Sequence, residues 1–85
     1  MSSARLAAQM EEAAEAFAAA LVIFREFEDH YREGLALVNM GFIHSAADRR
    51  SEARAHFLQA ADAYTRANAP DEAAEARAQA AALPD

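Results

Sequence analysis

Leu6, Met10, Ala13, Phe17, Leu21 and Phe24 follow one another at steps of three or four residues. That spacing lines one face of a 3.6-residue helix. It predicts a first helix capped by the hydroxyl of Ser2 or Ser3 and running to about Phe27 or Glu28. Val22, Ile23 and Phe27 widen the apolar face, so this helix is expected to touch two neighbours. Glu28, Asp29 and His30 break the pattern. A second helix is predicted from about Tyr31 to Ala47, with Leu35, Val38, Phe42 and Ser45 on one side and Leu37, Met40, Gly41 and His44 on the other. Gly34 and Gly41 lie inside it; Gly41, in a chain so rich in alanine, points to a close helix contact rather than a turn. Residues 48–51 make the second break, with Asp48 as the expected N-cap. A third helix follows from about Arg50 to Asn68 on the stripe Ala53, Phe57, Ala60, Ala61 and Tyr64. Pro70 suits the first position of a fourth helix, where its missing N–H costs nothing. Asp71 and Glu72 then stand against the positive end of the helix dipole, and the helix is expected to end near Leu83. No stretch alternates with strand period. The chain reads as all-α, a single domain of four antiparallel helices joined by short connections.

A longer period overlies the helical one. Glu12, Ala13, Phe17, Ala20, Phe24 and Ala36 return, forty positions on, as Glu52, Ala53, Phe57, Ala60, Tyr64 and Ala76. A fixed offset of this size marks stacked supersecondary units, each too small to bury its apolar face alone.

Composition sharpens this picture. The apolar share of the 85 residues is 54%, but 26 of them are alanine, which leaves few large side chains. The core must be thin, with helices drawn together by small residues. The net charge of −6 opposes a nucleic-acid partner, because phosphate contacts need clustered cations, and it opposes adsorption to an anionic membrane. All 8 basic residues are arginine, which with the alanine content suggests a GC-rich bacterial coding sequence. There is no cysteine, hence no disulfide. Arg5, Glu11, Glu12 and Glu15 interrupt any leader-like or membrane-spanning run, so the expected location is cytoplasmic. Met1 and Pro84-Asp85 read as natural ends.

The segment from Gly34 to Ala67 resembles one tetratricopeptide repeat, through Leu37, Met40-Gly41, His44, Glu52-Ala53, Phe57 and Ala60. Two positions depart from the motif: His44 replaces an aromatic residue, and Asp48 stands where a turn glycine is frequent. The closing proline comes late, as Pro70, which is similar to the long-period variant of about forty residues found in bacterial regulators. The first helix, 1–29, then resembles the second half of a preceding repeat; 31–68 is a complete repeat; 70–83 resembles the first half of a following one. The resemblance implies a concave groove for a protein or peptide segment, lined by Leu35, Val38, Asn39 and Phe42 on the second helix and by Glu75 and Gln79 on the fourth. Asn39 stands where an amide can pair with a ligand backbone.

Candidate chemistry is sparse. Glu52 and His56 have the spacing of a metal pair, but nothing completes a site. His44 is expected to pack in the core and make one hydrogen bond. Ser45 and Ser51 lack the strained, glycine-rich turn of a nucleophile. The absence of lysine and the presence of Glu75 and Gln79 argue against acidic peptide ends as ligands; Arg77 is expected to face solvent or a glutamate. Arg49-Arg50 reads as a helix-start linker. No enzyme activity, metal or cofactor is expected. The leading expectation is an interaction module; the alternative is a homodimer through the first helix, or part of a larger repeat-containing regulator.

Overall fold

All three interhelical connections are built the same way. In each, one residue takes the left-handed region: Glu28 (φ 53°), Asp48 (φ 61°) and Asn68 (φ 56°). The next residue's N–H reaches back five positions, from Asp29 to the Phe24 carbonyl at 2.8 Å, from Arg49 to His44 at 2.8 Å and from Ala69 to Tyr64 at 2.9 Å. The left-handed residue itself donates to the carbonyl three positions back, that of Arg25, Ser45 or Thr65. This is the Schellman closure, which satisfies the last carbonyls of a helix. It favours glycine or asparagine, and short polar side chains tolerate it better than Glu28 does. The turns recur every twenty residues, half the offset visible in the sequence.

These turns delimit four helices in the computed structural model, which describes residues 3–84: α1 (Ser3–Glu26), α2 (His30–Ala46), α3 (Arg50–Arg66) and α4 (Pro70–Ala82). The described residues contain no strand, and the all-α expectation holds. Ser2, one of the two expected caps, lies outside the described residues. The ends of α1, α2 and α3 fall one or two residues before the expected ones, because the closure consumes the last residues of each apolar pattern. The same geometry corrects the role of Asp48. It occupies the left-handed position that ends α2, and the N-cap of α3 is Arg49, which makes no side-chain cap bond. Asp29 does cap α2, accepting the Arg32 N–H at 3.1 Å. Pro70 opens α4 as expected.

The principal contacts join α1 to α2, α2 to α3 and α3 to α4, so the helices form an open array rather than a closed bundle. The molecule measures 42 × 30 × 17 Å, thin in one direction. The expectation that α1 touches two neighbours is not met by its principal contacts, which are with α2. Only Leu21 of α1 is buried, Phe17 and Phe24 are half-buried, and Leu6 is exposed. Length explains Leu6. α1 has 24 residues against 17 in α2, so at 1.5 Å per residue about 10 Å of it overhangs its support. An ion pair between Glu11 and Arg49 ties that overhang to the turn between α2 and α3.

The tightest seam is between α2 and α3. Leu37 and Phe57 are each 1% exposed there. Both glycines face aromatic rings across it. A Cβ on Gly41 would lie 2.7 Å from the Phe57 ring, and one on Gly34 would lie 2.8 Å from the Tyr64 ring. Between α3 and α4 the contact is made by Ala73, Ala76 and Ala80, which let the helices approach closely. Arg54 holds the far end of α4, donating to the carbonyls of Leu83 at 3.3 Å and Pro84 at 3.4 Å.

Two polar groups are built into this frame. Glu33, 6% exposed, accepts from Arg25 of α1 at 3.1 Å and from His30 at 3.0 Å. Burial pushes its carboxyl up, but the bonds and charges of His30 and Arg25 outweigh that and hold it below the usual carboxylate range. His44 ends α2 at the register position of Phe24 in α1 and Tyr64 in α3. Its ring lies 4.8 Å from that of His56, and its Nδ1 is buried with no hydrogen-bond partner, so the expected bond is not made at that atom. Burial first, then the neighbouring His56 and Arg49, pushes the imidazole below its ordinary value.

Gly41→Ala should therefore destabilise the protein. The gain in helix propensity is about 1 kcal/mol, and overpacking costs about 1–3 kcal/mol. Adding Phe57→Leu, which withdraws the ring, should cost less in the Gly41→Ala background than alone, as read from urea midpoints at constant m. A rise in stability for Gly41→Ala would refute the tight seam. Both titrating groups favour their deprotonated forms on folding, so the stability they contribute falls as pH falls. His44 acts first, below its ordinary value of 6.5, and Glu33 follows below 4.5. His44→Phe should raise stability by about 1 kcal/mol by removing the orphaned nitrogen and should flatten the first step in a pH series of thermal melts. Glu33→Gln should lower stability at neutral pH by about 1–2 kcal/mol and flatten the second.

Candidate functional site

The six residues predicted to line a groove lie at the surface of α2 and α4, with Val38 also packed against the buried cluster of Ala53, Phe57 and Ala80. The structure divides them between two depressions. Val38, Phe42, Glu75 and Gln79 come together in one of about 180 Å³ between α2 and α4, floored by Tyr64 and Ala76 and rimmed by Glu72. Leu35 and Asn39 lie in the other, of about 360 Å³, between α2 and α1. α2 thus stands as a ridge between two grooves. Heptad arithmetic could not divide them, because Leu35 and Phe42 share one stripe and part only by the slant of α2 across its neighbours.

On this ridge Leu35 is 43% exposed and Phe42 is 47% exposed, although both are large and apolar. Phe42 is held in place by an edge contact with Phe57, with ring centroids 5.1 Å apart. Asn39 is exposed, and its amide donates to the Leu35 carbonyl at 2.8 Å, one turn back in its own helix. Pairing with a ligand backbone would require that bond to be exchanged.

The α2–α4 depression is acidic at its rim. Glu72 and Glu75 line it, and no basic residue does. Tyr31 of α2 donates its hydroxyl to Glu72 Oε2 at 3.2 Å and bridges the groove at one end. That bond and the Glu72 charge push the Tyr31 hydroxyl up. Burial, then the charges of Tyr31, Glu72 and Glu75, does the same to Tyr64. The chemistry suits an apolar side chain flanked by a cation and repels a carboxylate. Sequence reasoning missed Tyr31, Tyr64 and Glu72 as parts of this groove. The signal was present in the offset, since Arg32 becomes Glu72 and Phe24 becomes Tyr64.

The other candidates have structural partners. His56 Nδ1 lies 2.8 Å from the Glu52 carbonyl oxygen, and no cluster of three or more metal-ligating side chains exists among the described residues. Arg77 is exposed to solvent, as expected, and donates to the Thr65 hydroxyl at 3.2 Å. Arg49 reaches back to Glu11, and Arg50 pairs with Asp48 at 3.2 Å, so this basic pair braces the α2–α3 turn and is more than a linker. Among the described residues, no helix is long and apolar enough to cross a membrane. No family model matches the chain, and no curated protein or solved structure matches it significantly.

Proposed function

We propose that the chain is a non-enzymatic, cytoplasmic interaction module of tetratricopeptide-like construction, which binds a protein or peptide segment along α2 and α4. The observation that carries this reading is the ridge of α2, where Phe42 stays exposed beside the acidic rim of Glu72 and Glu75 and Leu35 stays exposed on the opposite flank. Large apolar side chains placed this way lower the energy of the molecule only when something covers them. The rim then selects the ligand. A leucine or phenylalanine anchor with an arginine or lysine next to it fits, and an acidic segment does not. Glu75 and Gln79 would meet the flanking charge, and Val38 and Phe42 the anchor.

A second reading has its own support. Val22 and Ile23 on α1 are 57% and 52% exposed, and Phe27 projects from its end. This flank favours self-association, or packing inside a longer array of repeats, over a role as bare surface. Light scattering at micromolar concentration separates the two: a monomer rejects the dimer.

Titration with a short peptide bearing phenylalanine between two arginines should shift amide signals of α2 and α4 around Phe42, Glu75 and Gln79. Phe42→Ala should weaken that binding by about tenfold or more, the size expected of a lost aromatic anchor. The matching peptide with glutamates should leave the spectrum unchanged. Shifts confined to residues outside α2 and α4 would reject the groove.

A further inference from the structure

The offset of forty relates the two grooves to each other. From α3 and α4, the α2–α4 depression is lined by Tyr64, Glu72, Glu75, Ala76 and Gln79. Forty positions earlier stand Phe24, Arg32, Leu35, Ala36 and Asn39, and all five line the groove between α1 and α2. That groove also contains Phe17 and Ala20. Their counterparts, Phe57 and Ala60, are 1% and 0% exposed because α2 lies over them. Phe17, Ala20 and Phe24 remain half-buried. The surface of α1 and α2 therefore repeats the seat that α3 and α4 offer to α2, without a helix from the described residues on it.

We propose that this seat binds an amphipathic helix of another polypeptide, one with two small residues seven positions apart and an acidic residue three positions before the first of them. The molecule supplies the template. α2 docks by setting Gly34 against the Tyr64 ring and Gly41 against the Phe57 ring, where a Cβ would come within 2.8 and 2.7 Å. In the same register, glycine, alanine or serine must face Phe24 and Phe17. Charge supplies the rest. Tyr31, three residues before Gly34, donates to Glu72. The seat has Arg32 in place of Glu72, so its occupant must offer an acceptor there, and a carboxylate is the strongest. The Arg32 side chain is 67% exposed and pairs with its neighbour Asp29 at 3.5 Å, which leaves guanidinium N–H groups to meet a second carboxylate. This goes beyond the function proposed above, which places its ligand on the α4 side of α2.

The test uses the full chain and a fluorescein-labelled peptide of its own residues 29–47 carrying Tyr31→Glu. A lone helix of this length is marginal in water and pays for ordering, so the expected Kd is about 10–300 µM. Amide shifts should centre on Phe17, Ala20, Phe24, Leu35 and Asn39. A peptide carrying Gly34→Leu and Gly41→Leu as well should bind at least about tenfold more weakly. The protein variant Leu35→Arg, at an exposed position that keeps the fold by thermal melt, should lose a similar factor. The proposal is overturned by no shift up to about 1 mM peptide, by shifts centred on α3 and α4, by equal binding of the leucine peptide, or by a free protein that is already a dimer with Phe17 and Phe24 covered. The reading above is tested with a different peptide, the phenylalanine–arginine one, at Phe42, Glu75 and Gln79, so the two readings fail separately.

Discussion

Two glycines that face two rings set the geometry of the whole array. Gly34 and Gly41 are seven residues apart on α2, and Tyr64 and Phe57 are seven apart on α3. Their near contacts bring the helix axes close enough for Leu37 to be buried in a domain with few large side chains. Glycine inside a helix costs about 1 kcal/mol relative to alanine. Here that cost is offset by the rings, each worth about 1.5–3 kcal/mol when fully buried. Everything on the outer side of α2 follows from this inner fit. The helix cannot rotate to hide Leu35 and Phe42 without driving Leu37 and the glycines off the rings.

Much of the fold was legible because its signals are local. The 3.6-residue stripes and Pro70 located the four helices, and alanine excess announced close packing. The turns were harder. A Schellman closure is written in backbone dihedrals, and Glu28 and Asp48 are not the residues that advertise it; Asn68 alone gives the usual hint. That is why Asp48 reads as a cap for the helix after it rather than the end of the helix before it. The period of twenty was hidden for the same reason. Adjacent helices share the turn but not the side chains, so the sequence displays only the period of forty.

The site was half legible. Exposure of Leu35, Phe42 and Glu75 followed from their place on the stripes opposite the seam. Their division between two grooves did not, because it depends on how α2 crosses α1 on one side and lies beside α4 on the other. The ends of the array differ in a way that composition alone did not convey. α4 meets α3 through Ala73, Ala76 and Ala80, and its other face carries Asp71, Ala74, Ala78 and Ala81, which need no cover. α1 leaves Val22, Ile23 and Phe27 in water. One end is closed by small and polar residues, and the other is open.

That asymmetry and the offset have one physical reading. Where forty positions separate like residues, as Phe17 and Phe57 or Ala20 and Ala60, the pair maintains the scaffold. Where they separate unlike residues, the scaffold is preserved and the surface changes: Arg32 against Glu72, Leu35 against Glu75, Asn39 against Gln79. These three exchanges line corresponding walls of the two grooves. One wall is apolar and cationic, and the other is polar and anionic. Two surfaces built on the same repeated backbone therefore differ in charge. In a domain with so few large side chains, this substitution of charge on a repeated backbone changes the surface and leaves the glycine–ring seam untouched.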